Sequence, residues 1–408
     1  MTAPGMLIIG AGHVGGRAAQ HLRAQGWDGP IVLVGEEPHA PYERPPLSKE
    51  VLTGERQPAS CALRQAEDWD ADRITHVRAR VAALDPARHE ATLADGQRIV
   101  FSKALLATGG TPRWLQVPGA NLPGVMALRT IDDAVALAAR LIPGASVAIV
   151  GGGFIGLEVA ASARVRGCSV HVVESAPCLL GRVVPAPIAR AVEKLHAANG
   201  VAIVLGRAPR AIEAQGGRLV LELDEGSRIA ADTIVVGIGI EPAMQLARAC
   251  ALEVGRGVRV GPTLATSAAD IFAAGDVAEF PSPLAGTLIR QETWHNAETQ
   301  ARTAALNMLG AREPYAALPW GWSDQYDHQL QVIGEPTLGP ETIVRQAGDA
   351  SIYFYRGADG RLVGAAGFGR TSDVAKDLKV ARLLVERRTA PASAQLIDPA
   401  TRLKSLLV

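Results

Sequence analysis

The sequence predicts an α/β protein with two Rossmann-like dinucleotide-binding domains followed by a C-terminal α+β domain. Three observations predict it. Gly10-Ala11-Gly12-His13-Val14-Gly15 follows the apolar run Leu7-Ile8-Ile9, and Gly151-Gly152-Gly153-Phe154-Ile155-Gly156 follows Val147-Ala148-Ile149-Val150, so G-x-G-x-x-G occurs twice. Each loop opens an alanine-rich helix and is followed by a strand pattern ending in an acid: Glu36 after Ile31–Gly35 and Glu174 after Val170–Val173. From about residue 316 the pattern changes to mixed strands and then an amphipathic helix over Asp373–Arg387.

The chemistry of the spacing is specific. The first two glycines allow a tight turn and close approach of backbone to a pyrophosphate, and the third allows helix and strand to touch. The phosphates then meet the unsatisfied N–H groups of the helix N-terminus. An acid about 20 residues further on accepts hydrogen bonds from an adenosine ribose. One such motif is shared by many sheets; two in one chain point to two dinucleotides and to electron transfer between them.

Between and beyond the two units the elements follow in order. A polar, proline-rich stretch runs from Pro38 to Lys49. Short strands are expected around Ile74–Asp85, His89–Leu93 and Gln97–Val100, with Asp95-Gly96 as a turn. The apolar run Ala104–Ala107 ends in Thr108-Gly109-Gly110. After the second unit come a helix over about Pro187–Asn199 and strands near Val201–Leu205, Leu219–Leu223 and Thr233–Gly239. Ile271-Phe272-Ala273-Ala274-Gly275-Asp276 delivers an aspartate at the C-terminal end of a strand, where open α/β sheets bind ligands. A helix is expected from His295 to Leu309, then strands at Leu330–Ile333, Thr342–Arg345, Ile352–Tyr355 and Leu362–Ala366.

Composition narrows the function. The 408 residues are 48% hydrophobic and 20% charged, a globular profile with ample core. Lys+Arg and Asp+Glu both number 41, which argues against nucleic acid or a membrane surface as partner. No apolar run approaches the ~20 residues of a membrane-spanning helix. The first strand pattern begins within six residues, leaving no room for a signal peptide, so a cytoplasmic protein is expected. Cys61, Cys168, Cys178 and Cys250 form no C-x-x-C or C-x4-C pair, which argues against a dithiol beside the cofactor and against a metal centre. Electrons gathered by the chain must then leave it.

The order G-x-G-x-x-G, Arg44-Pro45-Pro46-Leu47-Ser48-Lys49, Ala107-Thr108-Gly109, Gly151–Glu158, Gly237-Ile238-Gly239, Gly275-Asp276 and Trp320-Gly321-Trp322-Ser323-Asp324-Gln325 resembles the NADH-dependent, FAD-containing ferredoxin reductases of bacterial oxygenase systems, the putidaredoxin-reductase-like family. The likeness covers essentially the whole chain. It implies an FAD domain in two segments, residues 1–112 and 237–315, with an NADH domain inserted at 113–236 and a C-terminal domain at 316–408. It also implies an enzyme passing electrons from NADH through FAD to a [2Fe–2S] ferredoxin that feeds an aromatic-ring dioxygenase or a cytochrome P450. Rubredoxin reductase or NADH oxidase chemistry on the same architecture, and an NADH-sensing flavoprotein switch, are the alternatives. A monomer or weak dimer is expected.

By motif match, Gly10, Gly12, Val14 and Gly15 would face the FAD pyrophosphate, Glu36 the ribose, and Val81 the adenine through its backbone. Arg129 and Asp276 would engage the diphosphate–ribitol stretch, with Arg44, Ala107, Thr108 and Gly109 also lining the flavin site. Trp294 would lie beside the isoalloxazine at a helix N-terminus, whose dipole favours negative charge on the ring. Gly151, Gly153, Ile155 and Gly156 of the second loop would hold NADH, and Gly239 would be a further cofactor-binding residue. The family pattern brings Lys49 and Glu158 together near flavin N5, in positioning and electrostatic roles, since hydride transfer needs no general base. Glu174 at the 2′ position would repel a 2′-phosphate, predicting NADH over NADPH. Trp320 would border the flavin near the docking face, with Arg290, Arg302, Arg370, Lys376, Lys379 and Arg382 as candidate docking cations.

Overall fold

The computed structural model describes residues 4–407 apart from Arg182 and Asp349. The chain divides into two compact units, one of Met1–Glu43, Ala59–Thr111 and Glu241–Pro319, the other of Arg44–Pro58, Pro112–Ile240 and Trp320–Val408.

The first unit is built on a parallel sheet in the spatial order Ile74–Arg78, Ile31–Gly35, Gly5–Ile9, Arg98–Leu106, Ile271–Ala273. Gly5–Ile9 is buried along its whole length, as a central strand covered on both faces must be. Leu7, Ile8, Leu33, Leu105 and Ile271 form the heart of its core. Gln97–Val100 and Ala104–Ala107, read as separate segments, belong to one nine-residue strand, Arg98–Leu106. Its first half pairs antiparallel with Glu90–Leu93 and its second half pairs parallel with Gly5–Ile9. The two halves therefore carry different burial, which hides the continuity from a pattern search. Helix Trp294–Met308 starts one residue earlier than expected, at the N-cap Thr293, whose hydroxyl accepts from the Asn296 N–H at 3.2 Å.

The second unit holds a five-stranded parallel sheet, in the order Val201–Leu205, Ser169–Glu174, Ser146–Val150, Thr233–Val236, Val125–Ala127. An antiparallel ladder of Pro209–Gln215, Arg218–Leu223 and Arg228–Ala231 packs its apolar side chains with those of the parallel sheet. The same unit carries an antiparallel sheet in the order Trp320–Gln325, His328–Gly334, Leu362–Arg370, Ala350–Arg356, Glu341–Ala347, backed by helix Thr371–Glu386. Trp320–Gln325 was not read as a strand, because two tryptophans, a glycine and three polar residues show no apolar alternation.

One buried arginine ties the end of the chain to this last sheet. Arg345 donates to the carbonyls of Leu396, Asp398, Pro399 and Thr401 at 2.7–3.3 Å and pairs with Asp377 at 3.4 Å. Arg345→Met would leave four carbonyls and a carboxylate short of a donor. It should lower unfolding stability by roughly 3 kcal/mol in denaturant titration, where a wild-type midpoint would refute the role.

Candidate functional site

Both glycine loops fold to the same geometry. Gly10 and Gly151 have φ of 113° and 114°, in the left-handed region that favours glycine. A Cβ on Gly10 would stand 2.2 Å from the Ala107 carbonyl oxygen, and one on Gly151 would stand 2.4 Å from that of Gly237. The third glycines pack back on the first: a Cβ on Gly15 or Gly156 would meet the Gly10 or Gly151 carbonyl oxygen at 1.9 and 2.1 Å. Gly12 and Gly153 then N-cap helices His13–Ala24 and Phe154–Val165 without any side-chain cap. The first N–H groups of both helices therefore lack the usual capping oxygen, and a Cβ on Gly153 would meet nothing within 4 Å. Two open, uncapped cradles of this form fit two dinucleotide pyrophosphates.

The two acids sit in different registers. Gly10 N–H donates to Val34 O and Gly151 N–H to Val173 O, both at 2.8 Å, which makes Val34 and Val173 equivalent. Glu174 thus corresponds to Gly35, and Glu36 lies one residue further along. At the first cradle the small residue is in the strand: a Cβ on Gly35 would strike the Ala11 Cβ at 2.4 Å. At the second it is in the loop, as Gly152, and its N–H donates to Glu174 Oε2 at 2.7 Å. Glu174 Oε1 accepts from the Ala176 N–H at 2.7 Å. Ser175 Oγ also donates to Oε1, at 3.3 Å, and with about two acceptor sites per carboxylate oxygen the capacity for a ribose hydroxyl remains on Oε2. Glu36 is exposed, 3.7 Å from Arg80 Nε.

In the first unit several of the remaining residues lie beside the first cradle. Ala107 closes strand Arg98–Leu106 and donates its N–H to Ile9 O, while Thr108 Oγ1 donates to Ala243 O at 2.9 Å, just before Gly109. Gly275, with φ of 80°, lies so close to Val14 that a Cβ would meet its Cγ2 at 2.5 Å, and this places Asp276 at the loop. His13 Nε2 and Arg17 Nε both reach Glu298 Oε2, at 2.8 and 2.9 Å, joining helix His13–Ala24 to helix Trp294–Met308. The rings of His13 and Trp294 lie 5.5 Å apart. Val81 opens strand Val81–Asp85, away from the glycine loop in sequence but in the same unit.

In the second unit Arg44 donates to the Arg129 carbonyl, and the Arg129 N–H donates to Asp133 at 3.0 Å ahead of helix Ile131–Ala138. Ile155, beside the second cradle, is 45% exposed, and Gly239 follows Ile238, itself 36% exposed. Glu158, on helix Phe154–Val165, is only 4% exposed. Lys49 Nζ lies 3.4 Å from its Oε1, Ser48 Oγ donates to Oε2 at 2.5 Å, and Ser323 Oγ donates to Oε1 at 2.7 Å. Burial pushes the Glu158 carboxyl above the usual carboxylate range, while the Lys49 charge and the two hydroxyls pull it back. Ser48 and Ser323 were not singled out by sequence reasoning. Both lie inside the motifs that carried the resemblance, next to Lys49 and between Trp322 and Asp324.

Trp320 and Trp322 stack with centroids 5.0 Å apart, and the Arg382 guanidinium lies 4.7 Å from the Trp320 ring. Of the candidate docking cations, Arg290 pairs with Glu292 and Arg302 with Glu313 in the first unit. In the second unit Arg370 pairs with Asp327 and Arg382 with Glu386, while Lys376 and Lys379 are exposed on helix Thr371–Glu386. All four cysteines are free thiols. Among the described residues, no cluster of His, Cys, Asp and Glu could hold a metal ion, and no helix is long and apolar enough to cross a membrane.

Comparison with known proteins agrees with this geometry. Residues 5–301 match the family described as pyridine nucleotide-disulphide oxidoreductase, and residues 320–407 match the reductase C-terminal family. The chain belongs to the pyridine nucleotide-disulphide oxidoreductases. Within that family several of its relatives are ferredoxin–NAD(+) reductases of dioxygenase systems. The reductase component of the anthranilate 1,2-dioxygenase system of Burkholderia cepacia is 42% identical, with all of both chains covered. That of the p-cumate 2,3-dioxygenase system of Pseudomonas putida is 37% identical, covering 99% of this chain and 98% of that one. Among solved structures, the putidaredoxin reductase–putidaredoxin complex matches with a TM-score of 0.94 at 31% identity, covering 100% of this chain and 99% of that one. This member of the family is therefore an oxidoreductase of FAD and NAD(H).

If Glu174 takes the adenosine ribose, as its place in the second loop leads one to expect, a 2′-phosphate about 4–5 Å away would be repelled by on the order of several kcal/mol even at an effective dielectric near 20. Glu174→Ala should raise KM for NADH and shrink the NADH-over-NADPH ratio of kcat/KM by at least about tenfold. An unchanged ratio would remove Glu174 from coenzyme selection.

Proposed function

We propose that this chain passes electrons from NADH through FAD to a [2Fe–2S] ferredoxin that supplies an aromatic-ring dioxygenase or a cytochrome P450, working in the cytoplasm as a monomer or weak dimer. The observation that carries the reading is the pair of matching phosphate cradles in one chain. FAD supplies the conversion between a two-electron donor and one-electron acceptors. Cys61, Cys168, Cys178 and Cys250 have no C-x-x-C or C-x4-C spacing, and on this reading the electrons therefore pass directly from flavin to a carrier protein. In this reading the flavin domain comprises residues 1–112 and 237–315, the nicotinamide domain 113–236 and the C-terminal domain 316–408.

The chain's own contributions are binding and electrostatics. Gly10, Gly12, Val14 and Gly15 receive the flavin pyrophosphate and Gly151, Gly153 and Gly156 that of NADH, with Glu36 and Glu174 on the two riboses. Lys49 and Glu158 form the charged pair that addresses the reacting rings, Lys49 favouring negative charge on the flavin and Glu158 orienting Lys49 and the nicotinamide. Removing Lys49 would leave a buried carboxylate facing that region without its cation. Lys49→Met should therefore slow NADH-driven flavin reduction by about 10- to 100-fold while FAD content stays at the wild-type level. Reduction at the wild-type rate would take Lys49 out of the site.

The partner is tested by NADH-driven cytochrome c reduction with a [2Fe–2S] ferredoxin, with rubredoxin, and with no carrier, alongside O2 consumption. A rate that rises and saturates with ferredoxin supports the proposal. Saturation with rubredoxin alone would make it a rubredoxin reductase, as in the Pseudomonas putida relative that is 38% identical over 331 residues. A carrier-independent rate matched by O2 uptake would make it an oxidase.

A further inference from the structure

Behind Glu158 runs a line of buried side chains that the cradles and the ion pair do not require. Strand Trp320–Gln325 turns Ser323 and Gln325 to one face and Trp320, Trp322 and Asp324 to the other. Ser323 Oγ meets Glu158 Oε1 at 2.7 Å, and Gln325 Nε2 meets Ser323 Oγ at 3.1 Å. Beyond it, His196 Nε2 on helix Ala186–Ala198 meets Gln325 Oε1 at 2.8 Å. Ser323, Gln325 and His196 are at most 1% exposed.

A hydroxyl carries one proton, and a glutamine amide is a donor on one side and an acceptor on the other. The line can therefore run in only two directions. In one, His196 donates from Nε2 to Gln325, Gln325 to Ser323, and Ser323 to Glu158 Oε1, which acts as an acceptor. In the other every bond reverses, His196 carries its proton on Nδ1, and Glu158 must be protonated to start the line.

Three observations select the first direction. His196 Nδ1 is buried with no hydrogen-bond partner among the described residues. A bare nitrogen there costs less than an N–H with no acceptor. Lys49 Nζ lies 3.4 Å from the same Oε1 that Ser323 reaches, which favours negative charge on that oxygen. Ser48 supplies a further donor to Oε2. Burial also lowers the His196 pKa, so the ring is neutral and has one proton to place.

The geometry points to Ser323 as a positioning residue for Glu158, with Gln325 and His196 fixing the direction of its proton. This rests on the role of Glu158 in the proposed NADH reaction. Glu158 Oε1 is then held between a hydroxyl and an ammonium, and the hydroxyl is fixed by Gln325 and His196, which touch neither coenzyme nor flavin in the proposed roles.

The first test is the long-range 1H–15N spectrum of histidine-labelled holoenzyme, with His196→Asn used only to assign the signal. The expected result is a neutral His196 with its proton on Nε2; a proton on Nδ1, or an imidazolium, overturns the proposal. The second is stopped-flow reduction of bound FAD by NADH without ferredoxin. Ser323→Ala should slow the limiting rate about tenfold with apparent NADH affinity unchanged within about twofold, and Ser323→Thr should restore it. Gln325→Glu presents acceptors on both sides and draws the Ser323 proton away from Glu158, so it should match Ser323→Ala. Wild-type rates in Ser323→Ala or Gln325→Glu overturn the proposal. If Gln325→Glu loses FAD, the Ser323 pair and the wild-type spectrum decide. Should NADH fail to reduce the wild-type flavin, the functional reading falls while the histidine spectrum still tests the line.

Discussion

A carboxylate cannot be buried alone, and much of the second unit is arranged around that constraint at Glu158. Its partners come from two stretches of chain distant from its own helix: Ser48 and Lys49 on one, Ser323 on the other. This explains an awkward feature of the chain path. Arg44–Pro58 lies in sequence between two segments of the first unit yet packs within the second, where Ser48 and Lys49 meet the acid and Leu47, Val51 and Leu52 are buried. Ser162, one turn beyond Glu158, adds a hydrogen bond to the Ser48 carbonyl at 2.8 Å and fixes the same segment from its backbone.

The two cradles solve one packing problem in two ways. Each needs a close approach between the loop and the end of the neighbouring strand. With Ala11 in the loop the strand must offer Gly35, and the acid moves one residue further, to exposed Glu36. With Gly152 in the loop the strand can offer Glu174 directly, where two backbone N–H groups hold it. The glycine spacing is identical while the carboxylates are held differently. Among the described residues Glu36 pairs with Arg80 at the surface, which contributes little rigidity, whereas Glu174 is set by backbone geometry.

Sequence reasoning reached the two βαβ units, the long helices and most strands, because these carry strong periodicity or glycine punctuation. It reached the residues of the cradles for the same reason. It did not reach strand Trp320–Gln325, the hydrogen-bonded line behind Glu158, or the unity of Arg98–Leu106. Serine, glutamine and a neutral histidine bear no hydropathy signal, and their significance lies in distances across the chain of 165 residues for Ser323–Glu158 and 129 for His196–Gln325. The inequivalence of Glu36 and Glu174 was hidden as well, since counting residues from a glycine does not reveal hydrogen-bond register.

Strand Trp320–Gln325 has two faces with unrelated neighbours. One holds Ser323 and Gln325 against the acid; the other holds the stacked tryptophans, with Trp320 Nε1, Gln331, Gln329, Asp324 and Trp322 Nε1 joined in a continuous run of hydrogen bonds at 2.7–3.0 Å. Alternate residues can thus diversify on one side while their neighbours stay fixed. A shift by a single residue, by contrast, exchanges both sides at once. Chimaeras made by joining this chain to its relatives should for that reason be spliced outside the hairpin Trp320–Gly334, where a length change is absorbed by a loop.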